Sequence, residues 1–371
     1  MKFPSLASAV GVLALFASTG LATEDFYVGT YTKFFGSKGI YRFQFDEKSG
    51  AVSPGQLAVK TVSPSWVIIH PNRRWVYSVN EGPEGKVSAF RIAPDGQLQL
   101  LSQQSAKGAD PCHLSLDQTH RFLFVANYTS GSVASLPVQR NGALAPVASF
   151  QQQHGGGVNK DRQEGPHAHS IYPGPANNFI YSCDLGNDHI ERYRFNEEKG
   201  TLTPVKTPAA KIAPGSGPRH LVLDPRGFAY LVNEMGNTVT VLRWDKEGGT
   251  MHTIQTVPTL PKDFSGQNTT AEIALHPNGH FLYASNRGHN SIAVFAVGEN
   301  GRLSFVEHAS TKGKTPRNFA FDPTGRWLLA ANQDSNDIFV YRVNSYTGKL
   351  TPTAQRVRVG APVCVAFVQG K

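Results

Sequence analysis

The chain has three cysteines in 371 residues. That number cannot staple a disulfide framework. Cys112 and Cys364 fall at the same place in a repeat, in blades that do not adjoin, so these two and Cys183 are expected to be buried and reduced. After the first 23 positions no apolar run approaches the roughly 20 residues that cross a bilayer, and no membrane span is expected in the body of the protein. Blocks of like charge are missing as well. Thirty-six Lys and Arg against 27 Asp and Glu leave a formal charge of +9, or +8 without Lys2, but the basic residues are scattered. No nucleic-acid-binding motif accompanies them, so nucleic acid is not expected as a partner. A dispersed positive excess better suits drawing small anions toward a cleft. The familiar catalytic signatures are also absent. There is no G-x-S-x-G elbow, P-loop, dinucleotide fingerprint, H-E-x-x-H or C-x-x-C-H, and no cofactor or metal is expected.

What is present begins with a leader pattern. Lys2 precedes an apolar run from Leu6 to Phe16 and a small-x-small site at Gly20-Leu21-Ala22. This is the layout of a secretory signal peptide cut after Ala22. The reading divides the chain into a signal over 1–22 and one domain over 23–371, exported to the periplasm or secreted.

The rest of the chain writes one phrase six times. A Pro or Thr opens a short apolar strand, a turn rich in Pro, Asn and Gly follows, and a second apolar strand ends in Asn or Asp. Copies are PSWVIIHPNRRWVYSVN (64–80), PCHLSLDQTHRFLFVAN (111–127), PRHLVLDPRGFAYLVN (218–233), TAEIALHPNGHFLYASN (270–286) and PRNFAFDPTGRWLLAAN (316–332), with a looser one at 166–184. Starts separated by 46 to 55 residues, built from short strands, predict an all-β propeller of four-stranded antiparallel blades. Six blades are complete. A seventh is assembled from both termini: Ala361 to Phe367 as its inner strand, then Phe26 to Thr30, Ile40 to Phe45 and Leu57 to Thr61. Such closure leaves no sheet edge open around the ring, and a monomer is expected.

Propeller topology sorts residues by face. The loops entering each first strand and leaving each second strand share one rim, and the His-Pro and Asp-Pro turns share the other. His70 and His276 lie in those turns and are read as structural. The Asn or Asp ending each second strand can bond its own backbone. Residues that break the repeat on the functional rim are more informative. They are His167 and His169, Arg219 and His220, Glu234, Glu272, Arg287 and Arg317, gathered over blades three to six. Longer polar loops at 155–165 and 261–270 border the same sector. His and Glu can move protons, and Arg can grip a carboxylate or phosphate or stabilise an oxyanion. Strict alternation would put His167 and His169 on one strand face.

YVGTYT (27–32), RQEGPHAHS (162–170), PRHLVLDPRG (218–227), VNE (232–234) and SNRGHNSI (285–292) resemble the seven-bladed lactonase family. That family takes in propeller-type 6-phosphogluconolactonases and a fungal enzyme that closes carboxymuconate to its lactone. The resemblance spans about residues 25 to 368. It implies cofactor-free hydrolysis of a sugar or sugar-acid lactone, an anionic small molecule, with a lactonising cyclase or a non-catalytic binding propeller as the alternatives. It implies His167 or His169, Arg219, Glu234 and Arg287 as catalytic residues. Glu234 would be general base and His169 the acid, with His167 as alternate, or the roles reversed. Arg162, Gln163, His220, Glu272, Asn286 and Arg317 complete the expected site as substrate-binding residues, with Arg162 and Gln163 closing over it.

Overall fold

Each third strand alternates apolar with polar or small residues, as in Thr238–Trp244, TVTVLRW. A strand of that pattern has two usable faces and can be sandwiched between neighbouring sheets. The second strands, such as Phe228–Asn233, are buried on both faces along their whole length. In the computed structural model, which describes residues 23–33 and 36–368, these strands form seven antiparallel sheets around a channel. The expected leader over 1–22 lies outside the described residues.

The fourth blade shows the pattern. Pro218–Asp224 lines the channel and pairs with Phe228–Asn233, which pairs with Thr238–Trp244, which pairs with Met251–Pro258 at the periphery. The closing blade has the expected construction. Pro362–Phe367 pairs with Thr23–Thr30, followed by Gly39–Asp46 and Gln56–Lys60. The first and last strands are thereby hydrogen-bonded to each other as neighbours in one sheet. The third blade departs from four strands. Its outer edge is split into Thr201–Pro204 and Ala210–Lys211, both paired to His189–Asn196. Pro204 and Pro208 stand at and within the break, and neither can donate an N–H to a ladder.

The core is distributed between blades. Among the described residues there are seven buried apolar clusters, and each joins two adjacent blades. One device recurs at these seams. The turn between the third and outer strands of a blade brings a glycine against an aromatic ring of the preceding blade. Gly142 has φ +88, and a Cβ there would lie 2.4 Å from the Trp75 ring. The same turn accepts a hydrogen bond from Tyr77 Oη to the Gly142 carbonyl, 3.1 Å. His70 and His276 are buried in the opposite rim's turns. His276 Nε2 bonds the Gly325 carbonyl, and His70 packs edge-on to Trp75. The three cysteines are buried and free.

Five complete blades end the second strand in Asn: Asn80, Asn127, Asn233, Asn286 and Asn332. The third ends in Asp184. Its Oδ1 accepts the N–H groups of His167, Gly186 and Asn187, but Oδ2 has no partner. Burial pushes the pKa up to about 7, against the lowering effect of those backbone donors. The folded chain therefore binds a proton there that the unfolded chain has released, from about pH 4 to pH 7. This group's contribution to stability is present below that window and lost as pH rises through it. Asp184→Asn should remove the loss, on the order of 2 kcal/mol between pH 5 and pH 7. Urea midpoints of both proteins at the two pH values measure it, and an unchanged pH dependence contradicts this account.

Candidate active site

The rim residues reach the channel through a repeated irregularity. Register slips by one residue where the first strand meets the second, between Pro111 and His113, Ala168 and Ser170, Pro218 and His220, and Pro316 and Asn318. In blade five the slip lies between Thr270 and Ile273. The unpaired residues are Cys112, His169, Arg219 and Arg317, with Ala271 and Glu272 in blade five. A β-bulge re-aims a side chain at the rim of a sheet. In the blades that carry it, it turns a residue toward a common centre. The residues that follow the second strands of blades one, two, four and five supply a second ring: Glu81, Tyr128, Glu234 and Arg287.

These rings enclose a cavity of about 290 Å³ lined by Glu81, Cys112, Tyr128, Arg162, His169, Glu234, Thr269, Arg287 and Arg317. A wider cleft of about 800 Å³ shares Arg162, Thr269 and Arg287 with it, and another of about 780 Å³ shares Glu81.

Glu234 is the node. Oε1 accepts from Arg162 at 2.7 Å, Oε2 accepts from Arg219 Nε at 2.9 Å, and Oε2 forms an ion pair with Arg287 Nη2 at 2.9 Å. Burial by itself would raise its pKa, but Arg287, Arg219 and Arg162 together hold it far below the ordinary carboxylate range. Arg287 feels the converse: burial, with Arg219 and Arg317 nearby, pushes its pKa down to about 10 despite Glu234. Its buried Nε has no hydrogen-bond partner among the described residues. His169 Nε2 lies 3.9 Å from Glu234 Oε2. Burial, reinforced by Arg219, His220 and the other arginines, drives the His169 pKa well below its usual value, so the imidazole is neutral. Burial pushes the Cys112 thiol pKa up strongly, which leaves it unreactive as a thiolate.

Arg219, His220 and Glu272 form a layer beneath. Arg219 Nη1 donates to the Ala271 carbonyl at 2.7 Å and lies 3.3 Å from His220 Nε2. His220 Nδ1 is 3.0 Å from Glu272 Oε1, and Glu272 Oε2 accepts from Asn318 at 2.6 Å. The His220 ring meets Trp66 and His113 edge-on, and those two rings contact each other. The floor of the site is thus closed by hydrogen-bonded aromatic rings.

Four expected residues stand elsewhere. His167 precedes the strand, which starts at Ala168, so alternation does not pair it with His169. Its ring stacks on Tyr128, Nδ1 bonds the Tyr128 carbonyl and Nε2 bonds Glu164, each at 3.1 Å. Gln163 is buried inside its loop, donating to the Leu185 carbonyl and accepting from the Asn159 N–H. Arg162 of that loop does reach the cavity, and it also bonds Tyr128 Oη at 3.2 Å. Asn286 is wholly buried, its amide bonded to Thr259, Asn268 and Ser291. Glu272 is likewise enclosed by its partners. These residues shape the wall and floor.

Arg317 lines the cavity with its guanidinium 5.3 Å over the Tyr31 ring. Among the described residues it forms no ion pair within 4 Å. Tyr31, Glu81, Ser65 and Tyr128 are site residues that the sequence reading passed over. One signal was available: Val79-Asn80-Glu81 repeats Val232-Asn233-Glu234 at the equivalent place. Among the described residues no group of three or more His, Cys, Asp or Glu is arranged to hold a metal ion.

A family model described as "Lactonase, 7-bladed beta-propeller" matches residues 25–367. The chain is 38% identical over 346 residues to the 6-phosphogluconolactonase of Bacillus subtilis, covering 92% of this chain and 97% of that one. It is 34% identical over 342 residues to that of Formosa agariphila, covering 90% and 96%. The solved periplasmic gluconolactonase of Pseudomonas aeruginosa superposes with a TM-score of 0.88 at 34% identity, over 93% of this chain and 99% of the other.

Glu234→Gln leaves three guanidiniums facing one another without their shared anion. Breaking a buried pair in this way costs about 3–5 kcal/mol. Chemical denaturation should show that loss, and phosphate or sulfate should raise the melting temperature of the variant more than that of the parent. A variant as stable as the parent in low salt would show that Glu234 does not hold the arginines together.

Proposed function

The chain belongs to the seven-bladed β-propeller lactonase family, and from that premise we propose how its cavity opens a lactone. The protein is a lactone hydrolase of the 6-phosphogluconolactonase-like type, acting on a sugar or sugar-acid lactone. The observation that carries the mechanism is the pairing of a fully engaged Glu234 with a neutral His169 in one buried, cationic cavity.

Ester hydrolysis needs an activated water, a stabilised oxyanion and a proton for the leaving alkoxide. Glu234 is a poor base when three arginines hold its charge. His169 lines the cavity and is neutral, with no arginine bonded to it among the described residues. It is therefore the group free to take the proton from water, and its lowered pKa sets the acid limb below that of an ordinary histidine. Glu234 orients Arg287 and Arg162. Arg287 lines the cavity and turns its guanidinium toward the oxygen on which charge develops. Arg219 spends its donors on Glu234 and Ala271 and acts as a positioning residue. Arg317, which has no ion-pair partner among the described residues, takes an anionic or hydroxyl group of the substrate. Three guanidiniums, those of Arg162, Arg287 and Arg317, line the cavity with two carboxylates, an excess that favours an anionic ligand. All these groups come from one ring, which supports action as a monomer.

An exported location is consistent with the leader pattern, and the Pseudomonas aeruginosa relative is periplasmic. Such a location favours an unphosphorylated lactone as substrate. Intact mass of the exported protein should correspond to a chain starting near Thr23. A cytoplasmic protein that keeps residues 1–22 would return the sugar phosphates to first place.

The mechanism is tested by pH–rate profiles on gluconolactone. His169→Ala should lose about 10²–10⁴-fold. The acid limb of kcat/KM, where the imidazole takes up a proton as pH falls, should vanish with it. Arg287→Lys keeps charge but not the planar donor set and should cost about 2–4 kcal/mol of transition-state stabilisation. Full activity with an unchanged acid limb in His169→Ala would remove this residue as the base.

A further inference from the structure

The cavity holds a second carboxylate, in surroundings opposite to those of the first. Glu81 follows Asn80 as Glu234 follows Asn233, and both side chains line the same space. Three guanidiniums meet Glu234. Hydroxyl groups meet Glu81. Tyr31 Oη lies 3.2 Å from Oε1 and 3.1 Å from Oε2, and Ser65 Oγ donates to Oε2. Among the described residues no Lys, Arg or His comes within 4 Å of Glu81 to pair with it. Arg317 is held off on the Tyr31 ring. Two hydroxyls fix the carboxyl group in place without committing it to the ionised state, as a guanidinium would.

We propose that Glu81 is the proton donor of the reaction, a catalytic residue that protonates the leaving alkoxide as the lactone ring opens. This deepens the hydrolytic reading given above and rests on it. His169 removes a proton from water, and the resulting hydroxide adds to the lactone carbonyl carbon. The tetrahedral intermediate collapses, the ring C–O bond breaks, and its electron pair leaves on the alkoxide oxygen. That oxygen takes the Glu81 proton. One water is consumed and one hydroxy acid forms. Imidazolium and carboxylate return to their starting states by proton exchange with solvent and with the product acid.

The electrostatics run the right way for a donor. Burial is the largest influence and pushes the Glu81 pKa up, with Asp110 adding to it, while Arg317, Ser65 and Tyr31 act against it. Cys112 also faces this corner, and its raised pKa keeps it neutral. The pKa values of Glu81 and Glu234 are thus pushed in opposite directions inside one site, the pattern by which paired carboxylates divide their roles.

The test uses leaving groups. A sugar lactone expels an alkoxide, which needs a proton. A phenolic lactone such as dihydrocoumarin expels a phenoxide, which barely does. Glu81→Gln is nearly isosteric and keeps the hydroxyl contacts. It should lower kcat on gluconolactone by about 10²–10⁴-fold and on the phenolic lactone by less than tenfold. Equal losses on both substrates, or a change confined to KM, would overturn the proposal. Tyr31→Phe supplies a second reading should the first variant fold poorly. It removes a hydrogen bond that lowers the Glu81 pKa, so the alkaline limb of kcat should move to higher pH. An alkaline limb that stays in place would also count against Glu81 as donor. If the unaltered protein opens neither lactone, the hydrolytic reading fails, and this inference fails with it.

Discussion

The site depends on one carboxylate. Glu234 is shared by Arg162 from a loop, Arg219 from a bulge in its own blade, and Arg287 from the next blade. Three guanidiniums so close would repel one another in a cavity from which water is largely excluded. The shared anion makes their convergence possible and fixes their planes. It also sets the rest of the electrostatics. Because Glu234 is engaged, it is withdrawn from proton transfer, and the neighbouring imidazole is left neutral among cations. A base and an oxyanion donor thereby stand side by side.

The scaffold tolerates this concentration of charge because its stability lies elsewhere. The seven apolar seams lie between blades. Each seam excludes water along strands buried on both faces, and the termini close the last gap by pairing in one sheet. The channel mouth is therefore spared a packing role. The bulge at the head of the first strand, present in most blades, is the link between scaffold and chemistry. It breaks the ladder by one residue and turns that residue inward, so a repeat with sevenfold regularity can present a different side chain from each blade.

Much of this was legible in the chain. Strand pairs with a 46-to-55-residue spacing prescribed the propeller, and the incomplete copies at both ends prescribed its closure. The departures from the repeat at His169, Arg219, Glu234, Arg287 and Arg317 located the mouth. The misplacements have physical causes. His167 and His169 look equivalent under strict alternation, but the strand begins between them and a bulge re-aims only the second. Gln163 and Asn286 look like polar recognition groups, yet their amides are consumed by backbone and turn partners. Glu81 was hidden because a Val-Asn-Glu near the start of the chain resembles another turn. Only ring closure brings it opposite His169's sector.

The sequence by itself determined the number of blades, the strand order within them and the rim on which chemistry would be sought. Those follow from local pattern: a period of two along strands, turn residues at fixed offsets, and a repeat too short to bury its own faces. The tertiary structure alone decided which charges share a partner. Ionisation depends on distance and burial across blades. Glu81 and Glu234 both follow Val-Asn and have opposite surroundings, hydroxyls for one and guanidiniums for the other, supplied partly by their own blade and partly by segments far away along the chain.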